Sequence, residues 1–179
     1  MKTTTAAPSA SPGIRWWGLG AGAFLAQAAL TYGLGRAEDG RHLLPFLLPL
    51  AHLLLLPFLV RNLSFWGIRL VFLGLLLNLT VMLANGGLMP VEGPAVEAVG
   101  RDRLEDLDPG SPIPRSKNVL VAPGDGRLME LSDTLVLPVP KPFARAVSVG
   151  DLFVFAGVVV AYSEVIRRHG LRRIPAHDE

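Results

Sequence analysis

LLPFLLPLAHLLLLPFLVRNLSFWGIRLVFLGLLLNLTVMLA, residues 43–84, is the stretch that decides the fold. It holds two apolar runs, 43–60 and 63–84, parted only by Arg61-Asn62. A hydrocarbon core of ~30 Å takes about 20 helical residues at ~1.5 Å each. Each run is therefore long enough, or nearly so, to cross a bilayer. Two further apolar runs, at 14–34 and 149–166, bring the expected crossings to four. The chain of 179 residues is 50% hydrophobic and only 18% charged, against roughly 25% charged in soluble domains. The expected fold is all-α: a four-transmembrane-helix bundle with one long extracytoplasmic loop at 86–147.

The flanks follow the same logic. Residues 1–13 are rich in Thr, Ala, Ser and Pro and read as a disordered cytoplasmic tail. The first apolar run starts late and opens with Trp16-Trp17, an interfacial anchor, so it is expected to be retained as a helix. Residues 167–179 form a basic tail with Arg167, Arg168, Arg172 and Arg173. A basic cluster beside a helix end belongs on the cytoplasmic side. Four crossings then place both termini inside, together with Lys2, Arg15, Arg61 and Arg69. The loop holds seven basic and nine acidic residues, and so has no positive excess to oppose its export. The basic residues sit where topology puts them, and nucleic-acid binding does not follow from the net charge of +2.

Within the helices, Gly18, Gly22 and Ala26 recur at four-residue spacing, a surface on which another helix can approach closely. Pro45, Pro49 and Pro57 remove backbone donors from the second helix and predict a kink. Arg69 can snorkel back to the interface. Three polar groups lie at membrane depth: Gln27, His52 and Asn78. His52 is either a relay or ligand contact, or a neutral imidazole bonded to a proline-freed carbonyl or to Asn78. Asn78 is either interhelical glue or a coordinating group, and Gln27 should bond across to a neighbour.

In the loop, 94–104 predicts a short helix. Segments 117–121 and 126–131 flank Pro123-Gly124-Asp125-Gly126 and predict a small β-hairpin, with a third short strand at 135–137. Pro138, Pro140 and Pro142 make a stiff approach to the last helix. Ser148 and Asp151 have capping-box spacing at its start, and Glu164 can pair with Arg168 near its end. Asn85-Gly86-Gly87, with Met89 and Pro90, suits a helix C-cap and also an anion nest. Folding brings that segment to the same face as Ser148, Gly150 and Asp151, where Lys117 and Asp133 can reach both. These residues form the candidate polar cluster.

The runs LLLNLTVMLANGGLMPV (75–91), SKNVLV (116–121), LSD (131–133), LPVP (137–140) and VSVGD (147–151) resemble the DUF5317 family of small bacterial membrane proteins of unknown function. The resemblance implies a bacterial plasma-membrane protein with the C-terminus inside. It also implies that Asn78, Asn85, Gly86, Gly87, Met89, Pro90, Lys117, Asp133, Ser148, Gly150 and Asp151 act together, and it supplies no activity.

There is no cysteine, which excludes disulfides, thiolate catalysis and Cys-ligated zinc. No nucleophile–base pair, phosphate loop, paired carboxylates or metal-ligand spacing appears, so no cofactor and no metal are expected. The leading expectation is a non-enzymatic accessory, assembly or interaction subunit that uses its loop for recognition. Its partners are the lipid bilayer and either a second copy or another membrane protein. The alternatives are a small transporter or channel component, and an enzyme acting on lipid or envelope substrates.

Overall fold

The computed structural model describes residues 14–34, 41–99, 107–114, 116–137, 139–140 and 144–170. The 1–13 tail, residues 100–106, Pro138, Pro142, and Arg172 and Arg173 lie outside these residues. Four long helices dominate: α1 (Trp17–Tyr32), α2 (Leu44–Arg61), α3 (Trp66–Ala84) and, after the loop, α5 (Val149–Gly170). Among the described residues three helices are long and apolar enough to cross a membrane: Arg41–Arg61, which adds a 3-10 turn to α2, Trp66–Ala84 and Val149–Arg168. Helix α1 has 16 residues, a rise of ~24 Å, and falls short of that length. Of the four expected crossings, three are therefore helices of spanning length and the first is a shorter apolar helix. Trp16 sets the start of α1 by standing in the left-handed region at φ 58°.

Helix α2 runs unbroken through Pro49 and Pro57. Pro45 sits in the first turn, where no donor is missed. Pro49 has no N–H to give the Pro45 carbonyl, and Gly87 closes on that oxygen instead. A Cβ on Gly87 would lie 1.9 Å from it, and Gly87 holds φ 96°, so both the approach and the backbone require glycine.

Each helix packs antiparallel to its neighbour in the order α1, α2, α3, α5. The small-residue stripe expected to pack, Gly18-Gly22-Ala26, points away: Gly18 and Gly22 have nothing within 4 Å, and Ala26 is exposed. The packed face of α1 is offset and carries Gly20 against the Phe58 ring, buried Ala23 and Gln27. The close approach belongs to α3 and α5. A Cβ on Gly67 would meet the Ala161 nitrogen at 2.1 Å, and one on Gly74 would meet the Gly150 oxygen at 2.4 Å. Around these seams Leu55, Leu59, Phe65, Ile68, Leu75 and Ala161 form one buried cluster.

At one end, Asn62 clamps the α1 start to α2. It accepts from Arg15 N at 2.7 Å and donates to Arg15 O at 2.8 Å. Glu164 was expected to pair with Arg168. Instead it caps α3, accepting from Trp66 N at 3.1 Å and Gly67 N at 2.9 Å, where unbonded amides favour an anion. Arg168 lies over the Phe65 ring, 4.0 Å from its centre. Arg69 folds back over Trp66 and donates to Leu63 O at 2.7 Å, the reach expected of it.

The segment between α3 and α5 forms a cap at the other end. It contains β1 (Met89–Val91), α4 (Gly93–Ala98), β2 (Asn118–Leu120), a 3-10 turn (Met129–Leu131), β3 (Leu135–Val136) and β4 (Ala146–Val147). The expected hairpin does not form. Strand β2 pairs in parallel with β1, Met89 facing Asn118 and Val91 facing Leu120. Residues 126–131 are pinned elsewhere: Arg127 N donates to Asn85 Oδ1 and Asn85 Nδ2 donates to Arg127 O, both at 2.8 Å. This side-chain amide imitates a strand edge, and Leu128 at φ 56° then turns the chain into the 3-10 turn. Strand β3 pairs antiparallel with β4, which leads directly into α5. Leu44, Leu48, Val81, Met82, Leu88 and Met89 bury the junction of helices and cap, and Val91, Val96, Ile113 and Leu120 fill the cap itself.

Candidate functional site beneath the cap

The site begins with a helix start. Ser148 and Asp151 form a reciprocal capping box at α5: Asp151 N donates to Ser148 Oγ at 2.9 Å, and Ser148 N to Asp151 Oδ2 at 3.3 Å. Asn78, one turn and a half before the end of α3, reaches across to the same group. Its Nδ2 donates to Asp151 Oδ1 at 2.7 Å, and its Oδ1 accepts from Ser148 Oγ at 2.8 Å. Gly150 makes this possible, because a Cβ there would stand 2.1 Å from Asn78 Oδ1.

The cap then closes on the helices through Lys117. Its ammonium donates to Asp151 Oδ2 at 2.9 Å and lies 3.4 Å from Asp133 Oδ1. Asp133 is buried, and its Oδ2 accepts from Asn118 Nδ2 at 2.8 Å. Ser116 donates in turn to Asn118 Oδ1, and Ser132 donates to the Pro90 carbonyl. The result is one ionic lock joining α3, β2, the 132–133 corner and α5. Burial opposes the charge on Lys117, but Asp133 and Asp151 outweigh it and hold its pKa above the ordinary lysine value. Burial pushes the Asp133 pKa up, and Lys117 and Asn118 only partly offset this.

One buried atom is left over. Asp133 Oδ1 accepts no hydrogen bond; the Lys117 ammonium is near enough for attraction but not placed to donate. Asp133, Lys117 and Asn118 line a cavity of about 300 Å³ between α1 and the cap. Helix α1 contributes Phe24, Gln27, Ala28 and Thr31 to its wall, and the cap contributes Val91, Val96, Ile113 and Arg145.

The candidate residues thus fall into separate groups. Lys117, Asp133, Ser148 and Asp151 meet in the lock, with Gly150 as its spacer. Asn78 joins them from the intramembrane set. Asn85 does not; it caps α3, donating to Val81 O at 2.8 Å, and clamps Arg127. Gly86 and Gly87 take positive φ values as the turn after α3, Met89 N bonds to Lys117 O, and Pro90 receives Ser132. His52 is held by neither Asn78 nor a proline-freed carbonyl. Its Nδ1 lies 2.8 Å from Leu48 O, a pure acceptor, so Nδ1 carries the proton and Nε2 accepts from Gln27 Nε2 at 3.2 Å. Sequence reasoning missed Ser116, Asn118 and Ser132. The signal for the first two was their place on either side of Lys117 in SKNVLV.

Chemically the lock is nearly closed. Lys117 stays protonated and is neither base nor nucleophile near neutral pH. Both Asp151 oxygens are occupied, and no group of three or more His, Asp or Glu that could hold a metal ion occurs among the described residues. Asp133 Oδ1 is fully buried 3.4 Å from the Lys117 ammonium, and Asp133 is one of the residues that line the cavity. The family model described as a family of unknown function, DUF5317, matches residues 13–162. No curated protein and no solved structure matches the chain.

Proposed function

The chain belongs to the DUF5317 family, and we propose that it is a non-catalytic membrane recognition subunit whose cap binds another protein at the outer face of a bacterial plasma membrane. The observation that carries this reading is the state of the cap surface. Lys117, Asn118 and Ser132 bond to partners within the protein, whereas Leu128, Leu135, Val136, Leu137 and Val139 stand exposed on the cap. Exposed apolar groups on a cap tied internally by an ion pair and hydrogen bonds favour an interface.

Orientation is supported by charge. Arg15, Arg69 and Arg168 all gather around 62–66, at the end away from the cap. The positive-inside rule then puts that end, with both termini, in the cytoplasm and the cap outside. In this reading α1 is the fourth crossing, and the bilayer thins locally to match its length.

Transport has less support. It requires Gln27, His52 and Asn78 to share one cavity, yet only Gln27 lines it while Asn78 is spent on Ser148 and Asp151. Lipid or envelope chemistry would need a free base or nucleophile, and Lys117 is neither.

The cysteine-free chain makes topology direct to test. Asp125→Cys should react with an impermeant maleimide on intact cells, and Arg167→Cys only after permeabilisation. Native mass spectrometry of gently extracted protein should then show a stoichiometric partner, either a second copy or another membrane protein. Leu135→Asp with Leu137→Asp should release it without lowering Tm. A protein that appears only as a monomer, with or without lipid, contradicts the proposal.

A further inference from the structure

The cavity between α1 and the cap joins two kinds of surface. Its α1 wall runs from Phe24 to Thr31, a climb of about 10 Å over the last two turns before the helix ends at Tyr32. The cavity therefore stands where the apolar helices give way to the cap, at the depth where hydrocarbon gives way to headgroups. Phe24 is exposed on α1 and also lines the cavity, so one wall is continuous with the apolar surface of the helices. Val91, Val96 and Ile113 make the cap wall apolar as well. The volume of about 300 Å³ is at the small end for ligand sites.

The charged groups lining the cavity are Lys117 and Arg145 against Asp133. The two cations are not equivalent. Lys117 is spent on Asp151 at 2.9 Å and Asp133 at 3.4 Å, and Asp133 is buried with it. Arg145 is exposed, and its guanidinium gives one N–H to the neighbouring Ala144 carbonyl at 2.8 Å. Among the described residues it has no ion pair, so most of its five donors are uncommitted. A planar guanidinium on the lining of an apolar cavity matches a phosphate carried on an apolar chain.

We propose that the cavity holds part of an anionic phospholipid, with its phosphate on the Arg145 guanidinium and an acyl chain against Phe24. The occupant is a bilayer lipid because a free inorganic phosphate would gain nothing from the apolar walls. A net anionic head is favoured over a choline head, whose own ammonium Arg145 would repel.

The test mixes the full chain, in mild detergent, with equimolar phosphatidylglycerol and phosphatidylcholine of the same chains. Native mass spectrometry reads the retained lipid, and calorimetry with short-chain forms gives the affinities. Phosphatidylglycerol should be favoured about three- to fivefold, the scale of one part-exposed ion pair. Arg145→Gln should remove the preference with Tm unchanged, since the side chain is exposed. Arg167→Gln, an exposed arginine in the last turns of α5 at the end away from the cap, should leave the preference intact. Ala28→Phe, which fills the cavity from α1, should abolish it. Should that variant fail to fold, Arg145→Gln decides alone. Millimolar inorganic phosphate should not displace the lipid. Equal retention of the two lipids, a preference that survives Arg145→Gln or a folded Ala28→Phe, a preference lost in Arg167→Gln, or displacement by inorganic phosphate overturns the proposal. Retained lipid adds a lipid mass and a protein partner adds a chain, so this proposal and the partner reading fail separately.

Discussion

Lys117→Met is the sharpest perturbation of this molecule. The methionine keeps most of the side-chain volume and removes the single cation of the lock. Asp133, 2% exposed, loses the ammonium 3.4 Å from its Oδ1 and keeps only its hydrogen bond from Asn118. Asp151 is 31% exposed and keeps Asn78 and the Ser148 amide. Removing one partner of a fully buried pair costs roughly 3–5 kcal/mol, whereas exposed pairs contribute about 0–1 kcal/mol. One buried and one part-exposed carboxylate place the expected loss at about 2–4 kcal/mol. For a chain of this size that corresponds to roughly 5–15 °C in Tm.

The loss depends on pH, and its sign follows from Asp133. Its folded pKa is raised above the ordinary value of 3.8. A raised carboxylate favours the folded state at low pH and loses that advantage as pH climbs through the folded pKa. Without Lys117 the shift grows, so the variant should approach wild type at acid pH and fall away towards neutral and alkaline pH. In the wild type, Lys117 itself has a raised pKa, so its contribution is full below the ordinary lysine value and disappears only above it. Differential scanning fluorimetry across a pH series, with circular dichroism to check helix content, measures this. Lys117→Met combined with Asp133→Asn should recover most of the loss near neutral pH. A single variant as stable as wild type at every pH, or a double variant weaker than the single one, would refute the lock.

Three further outcomes are expected. Gly150→Ala should cost about 1–3 kcal/mol or more by forcing a Cβ to within 2.1 Å of Asn78 Oδ1, whereas Gly22→Ala, with nothing within 4 Å, should stay within about 0.5 kcal/mol in the same melting assay. Glu164→Gln should lose roughly 0.5–2 kcal/mol by weakening the charged cap on α3, seen as faster amide exchange at Trp66 and Gly67. Gln27→Leu should leave His52 Nε2 without a donor at a cost of about 1–2 kcal/mol, and the imidazole nitrogen resonances should shift while those of Lys117 do not.

Much of the membrane portion was legible because it depends on short-range chemistry. The leucine runs at 44–61 and 66–84 cannot be solvated and must satisfy their backbones internally, so helices over those residues follow from composition alone. The Ser148–Asp151 box was legible for the same reason, as both partners lie within one turn. Helix α1 was overread by its apolar content, since the left-handed turn at Trp16 shortens it. Within the chain the close helix approach falls on α3 and α5 and not on the Gly18-Gly22-Ala26 face. Spacing shows which glycines share a face but not which face has a neighbour, and the partners of Gly67 and Gly74 are Ala161 and Gly150, far away in the chain.

The cap was read least well, and the cause is again distance along the chain. The turn at 123–126 favours a local hairpin, but Asn85 takes the backbone of Arg127 from 42 residues away and β1 takes β2. The presence of Lys117, Asp133 and Asp151 was evident as a set of charged residues, but nothing local states that one ammonium serves both acids or that Asp133 Oδ1 goes without a donor. By itself the sequence determined an apolar, helical, membrane-embedded chain with a capped last helix, because hydrophobicity and helix capping act within a few residues. Only the tertiary structure decided which helices touch, how the cap is paired and where the cavity opens, because those outcomes rest on contacts between segments that the chain order leaves free to choose.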